Sequence, residues 1–150
     1  MSRYIHKSHN VSVVLYHLVC PVKYRRVVFT DEVEQALRDI CLEIVKRYEI
    51  EFIEIGVDRD HVHFLIQSVP TYSPTKIVRI VKSITAREVF ERIPSVREQL
   101  WGGEFWTKGF FINTVSQSGN EKSIAEYVKK QGRKHEYRKI HRQQLKLFDF

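Results

Sequence analysis

Two runs of alternating apolar and polar residues, 51–57 and 61–67, flank the polar link Asp58-Arg59-Asp60. Side chains of a strand point to opposite faces in turn, so each run reads as a strand with one buried face. A link this short makes the two an antiparallel hairpin. In the first run Ile53, Ile55 and Val57 are expected on one side. In the second, Val62, Phe64 and Ile66 share one face, and His61 and His63 share the other. This hairpin sets the frame into which the flanking segments must fit.

Residues 11–20 are β-branched and aromatic and read as a strand closed by Pro21. Thr30 is placed to cap a helix, with Asp31 and Glu32 in its first turn. Val33, Ala36, Leu37, Ile40, Cys41, Ile44, Val45 and Tyr48 then form a stripe of 3.6-residue period. After the hairpin, Ser73 and Pro74 open a second helix, with Ile77, Ile80, Val81 and Ile84 as its buried stripe and Pro94 as its stop. Residues 105–115 read as a fourth strand. The predicted order up to residue 115 is βαββαβ, an α+β ferredoxin-like plan: a four-stranded antiparallel sheet with helices on one face. Residues 116–120, which contain Gly119, form a polar hinge, and 121–150 form a last helix that runs into a basic tail. The whole of 1–150 is expected to be a single domain.

No charge-free stretch is longer than that of residues 8–22, which contains two histidines and is too short and polar to span a bilayer. The N-terminal residues lack a signal-peptide pattern, which makes the expected location cytoplasmic. Cys20 and Cys41 sit in apolar runs and read as buried thiols. No glycine pattern of the P-loop or dinucleotide type occurs, so no nucleotide cofactor is expected. The net charge of +7 is uneven: residues 1–30 carry +5, residues 129–146 carry +7, and the rest sums to −5. Basic ends around a mildly acidic body suggest a polyanionic partner, nucleic acid in the usual case. No broad apolar face accompanies the basic tail, so a membrane surface is not the expected partner.

His61 and His63, at i and i+2 on one strand face, have the spacing of two ligands to one metal. The same spacing is also found in a pair of solvent-facing strand histidines with no task. Tyr127 and Gln131 lie four apart, on one face of the predicted last helix. Taken alone they are ordinary surface or interface residues.

Together these features resemble the small single-tyrosine transposases of the His-hydrophobic-His endonuclease superfamily, insertion-sequence enzymes that move as single-stranded DNA. The resemblance is carried by Leu18-Val19-Cys20-Pro21-Val22-Lys23-Tyr24-Arg25-Arg26, by Asp60-His61-Val62-His63-Phe64-Leu65-Ile66, by residues 100–111, and by Tyr127-Val128-Lys129-Lys130-Gln131. The long basic stretch after Gln131 departs from the motif.

The resemblance implies that Tyr127 is the nucleophile, forming a 5′-phosphotyrosine link without ATP. It implies that His61, His63 and Gln131 hold one Mg²⁺ or Mn²⁺. It further implies a homodimer whose tyrosine helix can complete the partner subunit's site, and a single-stranded DNA substrate bearing hairpins. Lys23, Tyr24, Arg25, Arg26, Lys130, Arg133 and Lys134 are the first candidates for DNA contact, and exposed aromatics such as Phe110 for base stacking. Three other readings are an RNA-recognition-like binding module, a metal-dependent hydrolase that activates water, and a domesticated relative acting on chromosomal palindromic repeats. The first is weakened because Lys108-Gly109-Phe110-Phe111 starts the RNA-binding signature and then departs from it.

Overall fold

A computed structural model describes residues 5–6, 11–12 and 14–115. The hinge, the tyrosine helix and the basic tail, with Tyr127, Lys130, Gln131, Arg133 and Lys134, lie outside the described residues. Four strands form the main sheet: β1 (Val14–Pro21), β2 (Glu51–Val57), β3 (His61–Ser68) and β4 (Phe111–Thr114). Their spatial order is β2-β3-β1-β4, and every neighbouring pair is antiparallel. Helices α1 (Asp31–Arg47) and α2 (Pro74–Arg92) pack on one face, which gives the ferredoxin-like plan. Ile5–His6 pairs with Val11–Ser12 in a separate two-stranded sheet.

Local chemistry explains most boundaries. Thr30 Oγ1 accepts from the Val33 amide at 3.2 Å and starts α1 as expected. Ser73 Oγ accepts from the Lys76 amide at 3.1 Å, with Pro74 at the first helical position of α2. Proline ends α2 at Ile93, and Pro94 then opens a short unforeseen helix, α3 (Pro94–Gln99). Thr30→Ala should cost about 1 kcal/mol of stability. A denaturant midpoint unchanged from the native protein would show that this cap is not needed.

The core lies between the helices and one sheet face. Leu18, Cys20, Val62, Phe64 and Ile66 meet Leu37, Ile40 and Ile44 of α1 and Ile77 and Val81 of α2 there. Burial pushes the Cys20 thiol up to about 12 and raises Cys41 as well, so both are inert apolar fillers.

Two expectations need correction. Ile53 was expected beside Ile55 and Val57, yet it is exposed, and Phe52 packs on the core instead. A register shift between Phe52 and Glu54 is the reason: one extra residue bulges out and reverses the alternation upstream. Residues 105–115 were expected as one strand, but only Phe111–Thr114 is. Phe105 and Trp106 turn into the core, with their rings 4.5 Å apart. Trp106 meets Val22 in an isolated bridge. Beyond it, the Lys82 ammonium donates to the Thr107 carbonyl at 2.7 Å and to the Lys108 carbonyl at 3.3 Å. Those carbonyls therefore face a side chain of α2 and not a neighbouring strand.

Candidate active site

Strand parity delivers the two predicted histidines to one place. Val62, Phe64 and Ile66 point to the core, so His61 and His63 stand on the opposite face of β3, a central strand. Both histidines are 2% exposed, so they are not a solvent-facing pair. Their ring centroids are 5.1 Å apart. Gly56 of β2 is the register partner of His63 and puts no side chain beside it.

Neighbours hold each ring. His61 Nδ1–H donates to Asp60 Oδ1 at 2.8 Å. Asp60 also accepts from Arg25 Nε at 3.0 Å. Partial burial by itself would raise the Asp60 carboxyl, but the hydrogen bonds from Arg25 and His61 outweigh it and hold the group below its ordinary value. It is therefore an ionised acceptor at neutral pH. Asp58 Oδ2 lies 3.9 Å from His61 Nε2 and adds a second carboxylate on that side. His63 Nδ1 shares a 2.8 Å hydrogen bond with Nε2 of a third imidazole, His17 of β1. His17 is fully buried, and burial lowers it to about 4. The Phe111 ring meets it edge-on at 6.3 Å.

His17, Asp60 and Asp58 were not assigned to the site from the sequence. The signal for His17 was present: it has the opposite parity to Leu18 and Cys20 in β1, which puts it on the His63 face. The same parity places Cys20 on the core side, away from the imidazoles.

This donor set fits part of a divalent-metal site. Both imidazoles are tied through Nδ1, so Nε2 is the atom through which each would hold a metal. Nearby carboxylates supply the negative charge that a cation needs. Among the described residues no three His, Cys, Asp or Glu side chains converge as a complete set. A third donor must come from elsewhere, and the expected one, Gln131, lies outside the described residues.

The proposed DNA contacts of the first strand's exit occupy one strained turn. Tyr24 and Arg25 both have positive φ, 60° and 53°, a conformation that costs non-glycine residues roughly 1–3 kcal/mol each. The turn is anchored by the Lys23 amide donating to the Phe105 carbonyl and by the Arg25 amide donating to the Val22 carbonyl, each at 2.8 Å. It brings Arg25 to Asp60 and so connects the basic motif to His61. Lys23 pairs with Glu104 at 2.8 Å; the hydrogen bond raises the lysine and lowers the carboxyl. Tyr24 and Arg26 are exposed. Exposed Phe110 lies under the Lys82 ammonium, 5.4 Å from its ring centre.

A cleft of about 520 Å³ runs between α2 and residues 103–108. Arg79, Lys82, Arg87 and Lys108 line it, with Glu104 as the acidic member. Counting charge along the chain did not reveal this strip. Among the described residues, no helix is long and apolar enough to cross a membrane.

The chain is similar to several known proteins. The ISDra2 transposase TnpA of Deinococcus radiodurans is 36% identical over 116 residues, 77% of this chain and 82% of that protein. The transposase for insertion sequence element IS200 of Salmonella typhimurium is 27% identical, over 77% of this chain and 75% of the relative. A crystal structure of a Deinococcus radiodurans R1 protein superposes with a TM-score of 0.68 at 30% identity, covering 85% of this chain and 98% of the other. The REP-associated tyrosine transposase bound to a REP hairpin shares the fold, with a TM-score of 0.61 at 14% identity over 90% of this chain and 74% of that one. Residues 10–131 match the family described as "Transposase IS200 like", a span that takes in both strand histidines, Tyr127 and Gln131, and the chain belongs to that transposase family.

Proposed function

We propose that this transposase cuts and rejoins single-stranded DNA at hairpin-bearing element ends, with Tyr127 as nucleophile and with His61, His63 and Gln131 holding one Mg²⁺ or Mn²⁺. The observation that supports it most is the buried His61–His63 pair, with the Nδ1 of each ring held by a neighbour. Surface histidines without a task need no such support. A bound divalent cation would act as a Lewis acid on the scissile phosphate.

The chain's own residues have separable roles in this reading. The Tyr127 oxygen attacks phosphorus and forms the P–O bond of a 5′-phosphotyrosine. The bond from phosphorus to the 3′ oxygen breaks, and that oxygen leaves as a hydroxyl with the proton it gains. The number of phosphoester bonds is unchanged, so rejoining needs no ATP. Asp60 fixes the His61 ring through Nδ1, and Arg25 fixes Asp60.

The cleft cations Arg79, Lys82, Arg87 and Lys108 offer a path for the phosphate backbone. Tyr24, Arg26 and Phe110 are exposed and suit bases and phosphates of a single strand. Hairpin recognition is supported by the shared fold with the hairpin-bound REP-associated enzyme. In this reading the active species is a homodimer in which the tyrosine helix can serve either subunit's site.

Labelled DNA from the ends of the protein's own genomic locus tests the substrate class. Cleavage is expected of the hairpin-bearing single strand with Mn²⁺, and neither of its perfect duplex nor in chelator. Equal cleavage of the duplex, or cleavage in chelator, would contradict the proposal.

A further inference from the structure

We infer that His17 is a positioning residue for this site: it accepts a hydrogen bond from His63 Nδ1–H and so keeps the Nε2 lone pair of His63 turned toward a metal. The inference rests on the proposed metal-binding role of His61 and His63.

His17 Nε2 and His63 Nδ1 are 2.8 Å apart, and one proton lies between them. The rings are inclined by only 21°, with centroids 5.0 Å apart, so the contact is edge to edge in the planes of both rings. That is the direction of an imidazole lone pair and of an N–H bond. Two arrangements are open to two neutral rings. If His17 donates, His63 carries its own proton on Nε2, which then has no lone pair to ligate with. If His63 donates from Nδ1, its Nε2 is a ligand.

The setting favours a positioning role over simple packing. His17 is fully buried, and β1 pairs it with the equally buried Leu65. Leucine or valine would fill such a strand position without a polar atom to satisfy. His61 obtains its orientation from a carboxylate, Asp60, whereas His63 obtains it from an imidazole of the adjacent strand. Without His17 the Nδ1 group of His63 loses this acceptor.

The test uses the full-length protein with two variants, His17→Leu and His17→Gln. Leucine keeps the apolar packing and removes the acceptor; the glutamine carbonyl restores one. Long-range proton–nitrogen NMR of the metal-free native protein is expected to show His63 protonated at Nδ1. Titration with Mn²⁺ alone is expected to show affinity falling about 10- to 100-fold in His17→Leu, with most of it regained in His17→Gln. A merely structural role predicts the reverse order, with the buried leucine tolerated better than the buried amide. His63 protonated at Nε2 in the native protein, or native Mn²⁺ affinity in His17→Leu, would overturn the role of His17 while leaving the metal site standing. A native protein that binds no Mn²⁺ would remove the metal site and this role with it. Should His17→Leu fail to fold, the native tautomer and the Mn²⁺ affinity of His17→Gln decide the matter.

Discussion

Replacing Tyr127 with phenylalanine is expected to lower strand cleavage by about 10³-fold or more and to leave DNA binding close to native. The substitution deletes one oxygen and nothing else. In the proposed reaction that oxygen forms the new bond to phosphorus, and no other group of the chain is given that task. A phenol has an ordinary pKa near 10, so the hydroxyl must also lose its proton during attack, which makes cleavage by native protein rise with pH below that range. A Tyr127→Phe protein that cleaves at native rates would move the chemistry to an activated water, and the two histidines would then serve a hydrolase.

His61→Ala is expected to be nearly as damaging, by a different route. Lewis-acid stabilisation of a reacting phosphate is worth several kcal/mol, and each 1.36 kcal/mol is tenfold in rate. Loss of one ligand should therefore cost about 10³-fold in cleavage and weaken Mn²⁺ binding in parallel. The fold should survive. Val62, Phe64 and Ile66 secure β3 from the core side, and the alanine keeps the strand backbone. The Asp60 carboxylate, still paired with Arg25, has solvent access to replace its lost partner. Asp60→Asn should fall between native and His61→Ala, because it disturbs the orientation of a ligand without removing it. Calorimetric Mn²⁺ titration of the three proteins checks the ranking. Native affinity in His61→Ala would contradict the assignment of that ligand.

Much of the fold was legible because its signals are local. Thr30 and Ser73 cap helices where their spacing said they would. The Asp58-Arg59-Asp60 turn closes a hairpin, with the Asp58 amide donating to the His61 carbonyl at 2.9 Å. What failed depends on tertiary context. The bulge at Ile53 is invisible to a period-two count, since one added residue leaves an alternation that looks intact from either side. Residues 105–110 have strand composition, but pairing there stops at the single Val22–Trp106 bridge, and Lys82 takes the carbonyls that follow.

The site divides in the same way. His61 and His63 could be paired from sequence because alternate positions on one strand share a face. His17 is 46 residues from His63, and only the β1–β3 register makes them neighbours. The cleft cations Arg79, Lys82 and Arg87 come from α2 and Lys108 from a later segment, and only the fold brings the two stretches to one cleft. Lys23 and Arg25 were read as candidates for DNA contact; the fold also pairs them with Glu104 and Asp60, which the sequence did not indicate.

The most direct test of the account is the covalent link itself. Purified protein is incubated with 5′-labelled and 3′-labelled single strands from the ends of its own locus, with Mn²⁺ or with chelator, and run on a denaturing gel. The link should carry the 3′ label, on the 3′ side of the break, while the 5′ label stays on a free fragment ending in a 3′ hydroxyl. The linked species should appear as a protein-sized band only with Mn²⁺ and map by mass spectrometry to the peptide containing Tyr127. Cleavage products with no protein-bound label, or a link on any other residue, would contradict it.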